Sequence, residues 1–191
     1  MSTATNPDVD ATPRATKAWI RCLAVGALAV GLADLLQAYL VFSLPHHRPP
    51  TIGLLQGPAT GLLGRAAMQG GAQTALLGTI LHFSIAFVWV ALFAVLYRTS
   101  PALRQRVRAT GGLLLVSAAT GATVWLTMDW VVLRFSRAHF YPMSEANFWI
   151  LLVGHMPFVG FPIVWTVRRF APQQRQQPQR SAPQQRQQPQ L

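Results

Sequence analysis

Four ionisable side chains interrupt otherwise apolar stretches of this chain: Asp34, His82, Asp129 and His155. Gln37 sits one helical turn from Asp34. Carboxylates and imidazoles in an apolar setting bind and pass protons or small cations, because histidine changes charge near neutral pH. Two His and two Asp also suit a zinc-like ion in type and number. Two histidines at one level would suit bis-imidazole haem ligation. The plainest reading is interhelical polar contact, in which paired groups offset one another's desolvation. The chain has no Walker loop, no nucleophile elbow and no His-Glu-x-x-His pair, so its motifs do not mark an enzyme and no cofactor is expected.

The elements that carry these residues read as membrane spans. Half of the 191 residues are hydrophobic and only 11% are charged, against about 25% in soluble domains. Apolar runs cover 19–42, 72–97, 111–133 and 147–167, each long enough to cross ~30 Å of hydrocarbon. The first run contains Asp34, exceeds a signal-peptide core in length and lacks an Ala-x-Ala site, so it reads as an uncleaved span. Residues 1–16 and the Gln/Pro/Arg-rich repeat of 171–191 lack apolar residues to bury and read as disordered tails around a 17–170 domain. Cys22 is the single cysteine, which excludes an intrachain disulfide. The expected fold is all-α: four transmembrane helices in a bundle, with an interfacial or re-entrant helix over 52–69.

Between the first two spans the chain turns glycine-rich. Gly57, Gly61 and Gly64 fit close backbone contact, and Gly71, Ala75, Gly78, His82 and Ala86 recur at helical spacing. That second set forms a narrow small-residue face, which in lipid is a packing seam for another helix. The prolines at 157 and 162 predict a kinked fourth span with freed carbonyls. His46, His47 and His139 fall in loops and read as solvated.

Charge sets the expected orientation. With four spans, the N-terminal region, the 98–108 loop and the C-terminal tail lie on one side and hold twelve basic residues, against Arg48, Arg65, Arg134 and Arg137 opposite. That bias predicts both termini in the cytoplasm. The basic residues lie between and after apolar runs, which points to the lipid bilayer as partner and away from nucleic acid. A second copy of the chain or a larger membrane protein is the alternative protein partner. In this orientation Asp34, His82, Asp129 and His155 lie six to ten residues from the outer ends of their spans, roughly 9–15 Å deep at ~1.5 Å per residue. One polar residue from each helix is thus expected at a shared level.

The run Gln56-Gly57, Gly61, Gly64, Gly70-Gly71, Gly78 and His82-Phe83, with Gly154-His155-Met156 and Val159-Gly160-Phe161-Pro162-Ile163, resembles a family of small bacterial four-span membrane proteins. It is more distantly similar to the YagU-like inner-membrane proteins. The resemblance covers about Trp19 to Arg169. It implies an inner-membrane location and a link to acid tolerance, and it implies no established activity. The chain departs from that pattern at Asp129, where Asn is expected, and at Arg134, where proline is expected. The first departure takes weight from a metal role for Asp129.

Overall fold

The computed structural model describes residues 11–44, 52–138 and 144–172. The expected readings of the N-terminal ten residues, of His46, His47 and His139, and of the tail beyond residue 172 lie outside these. Among the described residues the fold is all-α. Four helices are long and apolar enough to cross a membrane: Ala15–Phe42, Gly71–Thr99, Thr110–Phe135 and Glu145–Phe170. They make this a multi-pass membrane protein. The first belongs to a longer helix, Ala11–Phe42.

Local chemistry fixes where the spans begin. Ser144 caps the fourth by accepting from the backbone N–H of Asn147 at 3.2 Å, and Glu145 follows in the first turn, where a carboxylate complements the helix dipole. After the second span, Ser100 caps a short helix, Pro101–Arg106, with proline at its first position. Large apolar side chains such as Leu28, Leu32, Leu76, Leu92 and Val95 cover the outside of the bundle. In lipid that outer surface costs nothing to expose.

The first helix packs between the second and the fourth, and the third packs along the fourth. The fourth is the most enclosed: 44% of its apolar stretch is buried, against 22–28% in the others. Cys22, Val90, Ile163, Val164 and Val167 are completely buried and form a dry core at the end of the bundle nearest the two termini. The third and fourth helices meet backbone to backbone. A methyl group on Gly121 would collide with the carbonyl of His155, and one on Gly160 with the carbonyl of Ser117.

Neither proline stops the fourth helix. It widens to π geometry over Met156–Gly160 and then continues through Pro162. Pro157 has no N–H to give Val153, and the N–H of Met156 bonds that carbonyl instead. A second π segment, Met128–Val132, lies in the third helix.

The stretch between the first two spans is a chain of short helical pieces: Ile52–Gln56, Gly57–Ala59, Thr60–Leu63 and Gly64–Gln69. It folds back on the second span. Leu55 and Ala59 press their backbones onto Gly78, seven residues into that helix, or ~10 Å along it. The segment is therefore re-entrant. Hydrogen bonds tie it to its neighbours: Gln56 Nε2 donates to Gly71 O at 3.1 Å and Thr74 Oγ1 at 3.0 Å, while its own carbonyls at Ala67 and Gly61 accept from Thr74 Oγ1 at 2.6 Å and Arg137 N at 2.9 Å. Irregular backbone at such depth needs protein or a cavity around it.

The expected packing seam divides in two. Gly78 faces the re-entrant segment, whereas His82 reaches the first span at the Gly31 carbonyl and Ala86 is buried in the core; Gly71 is exposed with φ +57°, starting the helix rather than packing it. Gly64 is buried with φ +63°, a conformation glycine adopts without strain, and marks the turn within the re-entrant segment. Gly57 has no neighbour where a side chain would begin, and Gly61 meets only Ser136 at ordinary contact distance.

Candidate functional site

Three of the four ionisable residues meet. Asp34 lies between two imidazoles, with Oδ1 3.6 Å from His155 Nε2 and Oδ2 3.9 Å from His82 Nδ1. The side chains of His155 and His82 are 8% and 14% exposed, and that of Asp34 is 30% exposed. They come from the fourth, second and first spans, so the shared depth read from the sequence corresponds to contact for these three.

Each histidine is held from behind by a backbone carbonyl. His82 Nε2 lies 2.9 Å from Gly31 O, and His155 Nδ1 lies 2.8 Å from Leu151 O. A carbonyl oxygen only accepts, so the nitrogen facing it carries the proton. In the neutral form the other nitrogen of each ring is then a bare lone pair, and in both cases that nitrogen faces Asp34. The carboxylate thus stands opposite two acceptors. Neither gap is a hydrogen bond at these distances. Placing a proton in either gap converts repulsion into a charge-assisted bond, so the axis can hold zero, one or two protons.

Small residues make this geometry possible. Gly31 lets the ring of Phe83 lie directly on the first helix, which brings the neighbouring His82 within reach of the Gly31 carbonyl. Gly121 lets the third helix approach the backbone of His155, and the Trp125 ring packs on the His155 ring with centroids 4.8 Å apart. Gln37, 2% exposed, donates through Nε2 to Leu151 O at 3.1 Å. That is the carbonyl that holds His155, so Gln37 acts behind the site and not in it. Gly154 leaves the room for its amide.

Asp129 does not join the group. Met128 and Val132 line the cavity beside Asp34, and Asp129, half-buried, is not among the residues that line it. Distance along a span does not decide which way a side chain faces. The tight glycines at 31, 121, 154 and 160 were also missed. Their signal was available in part, since Ser117 and Gly121 form a small-x-x-x-small pair.

The group opens on a cavity of about 360 Å³ between all four spans and the re-entrant segment. Its walls are mostly apolar and include Phe42, Trp89 and Trp125, with Thr60 and Gly61 from the re-entrant segment. Among the described residues no Lys or Arg lines it, and Asp34 is the one acidic residue that does. Both π segments contribute to it, through Met128 and Val132 on one side and Val159 on the other. Among the described residues no group of three or more His, Cys, Asp or Glu is arranged to hold a metal ion. Haem ligation by the two histidines would need their free nitrogens to face each other across an iron, and here each faces the carboxylate between them.

No family model, no curated protein and no solved structure matches this chain.

Proposed function

We propose that the protein handles protons or small cations inside the membrane, with Asp34, His82 and His155 as the exchanging group. The observation that carries this reading is the carboxylate set between two imidazoles whose free nitrogens both face it. These two contacts stay open at 3.6 and 3.9 Å, beyond hydrogen-bond distance. Ionisable groups at such depth are costly and mark ion or proton pathways. The π turns on either side of the cavity fit the same reading, since such turns recur at functional sites.

The reading places the protein in a bacterial inner membrane with both termini in the cytoplasm. The excess of basic residues at the ends and in the 98–108 loop supports that orientation. The resemblance to small four-span inner-membrane proteins supports the location and suggests a role in acid or envelope stress.

Proton flux in proteoliposomes tests the proposal. The full chain is reconstituted with a pH-sensitive dye inside, and an imposed membrane potential drives uptake. Wild type should carry a flux that Asp34→Asn abolishes. His82→Gln and His155→Gln should each lower it about tenfold or more, because glutamine keeps a donor and an acceptor but does not titrate. Thermal unfolding in detergent checks that each variant is folded. Equal flux in Asp34→Asn and wild type would remove the proposed group from the pathway.

A further inference from the structure

Resting on that reading of Asp34, His82 and His155, we propose that the cavity binds a small organic ammonium: a protonated primary amine on an apolar body. Around Asp34 the polar wall offers acceptors. Asp34 supplies a carboxylate, while His82 Nδ1 and His155 Nε2 supply lone pairs, because the other nitrogen of each ring is committed to Gly31 O or Leu151 O. A primary ammonium carries three N–H donors. An ammonium beside Asp34 would neutralise the carboxylate and donate to the imidazole lone pair on its side.

The rest of the wall agrees. Among the described residues no Lys or Arg lines this cavity, so none of them repels a cation there. Phe42, Trp89 and Trp125 offer aromatic surface, which attracts cations through the ring faces and covers an apolar body. The volume, about 360 Å³, falls at the small end of the ~300–1,000 Å³ typical of small-molecule sites. That admits an amine carrying a single ring or a short chain.

Protons compete with such a ligand. Protonating either imidazole turns an acceptor into a donor and adds a like charge. Among the described residues the titratable groups facing the site are Asp34 from the first span, His82 from the second and His155 from the fourth. The third span contributes apolar residues and Trp125, and the re-entrant segment contributes Thr60. Binding should therefore weaken as pH falls.

Calorimetric titration of the full chain in detergent tests this with three probes of similar body: benzylammonium, benzyltrimethylammonium and benzyl alcohol. Benzylammonium should bind saturably, and more tightly than both others by about ten- to hundred-fold, the worth of charge-assisted hydrogen bonds. The quaternary ion keeps the charge without N–H donors, and the alcohol keeps a donor without the charge. Asp34→Asn should lose the preference for benzylammonium. No saturable binding, or equal binding of the three probes to wild type, overturns the proposal without need of any variant. Proton flux in proteoliposomes together with no benzylammonium binding leaves the exchanging group standing and overturns the ligand. Selective binding without flux supports the ligand and overturns the proton reading.

Discussion

The two ends of the bundle are built differently. Toward the termini, Cys22, Val90, Ile163, Val164 and Val167 are packed from every side, and Gly26 lets Val90 lie against the first helix. Toward the other end the same four helices part around Asp34, and the gap is closed by the short pieces of 52–69 rather than by a fifth long helix. Lipid provides no hydrophobic drive for helices to associate, so close packing must hold them. The dry end supplies that packing. The other end is thereby free to keep a cavity and three ionisable groups at its edge, an arrangement that stabilises nothing by itself.

The largest effect should come where the two ends join. Gly121→Val sets a branched side chain against the carbonyl of His155, where even one methyl has no room. Overpacking of this kind costs typically about 1–3 kcal/mol, and a backbone obstacle puts it at the upper end. A clear fall in the detergent unfolding temperature is expected. An unchanged temperature would mean that the third and fourth helices do not cross through glycine.

A paired truncation then separates the two ends. Ile163 is fully enclosed, whereas Ile85 borders the cavity. Ile163→Ala should cost about 2 kcal/mol, the low end of the range for such changes, because lipid solvates the unfolded side chain as well as the core does. Ile85→Ala should cost roughly half as much or less, since a side chain on a void already lacks partner atoms on one side. Proton flux should survive Ile163→Ala once the protein is folded. Equal costs at the two positions would erase the distinction between the ends.

The smallest effect tests the re-entrant segment. Gln56→Ala removes the amide that bonds Gly71 O and Thr74 Oγ1, a loss of about 1 kcal/mol. It should raise hydrogen exchange in 52–69 while leaving the dry core protected. Protection lost throughout the bundle would show that this segment is part of the core and not a cover on the cavity.

Much of this was legible in the chain before any coordinates. The four spans begin and end within a few residues of the apolar runs, because length and hydropathy are what a bilayer selects. Asp34, His82 and His155 could be set at one level because helical rise is constant. What failed was rotation. Asp129 does not line the cavity that Asp34, His82 and His155 share, since the direction a helix faces is decided by its neighbours. The glycines failed for the same reason: spacing marked Gly71 and Gly57, but a small residue matters only where another backbone arrives, as at Gly78, Gly121 and Gly160. The fold-back of 52–69 onto Gly78 depends on bonds from Gln56 and Arg137 that no periodicity announces.

The opposite attachment of the two rings has a spectroscopic consequence. His82 gives its Nε2 proton to Gly31 and His155 gives its Nδ1 proton to Leu151, so in the neutral site these two rings are opposite tautomers. Nitrogen chemical shifts distinguish bare from protonated ring positions, and here the bare position is Nδ1 in one ring and Nε2 in the other. A label on both rings therefore yields two signals of opposite pattern from one sample. When a proton or an ammonium enters beside Asp34, the change in each bare nitrogen reports which of the two gaps it occupies.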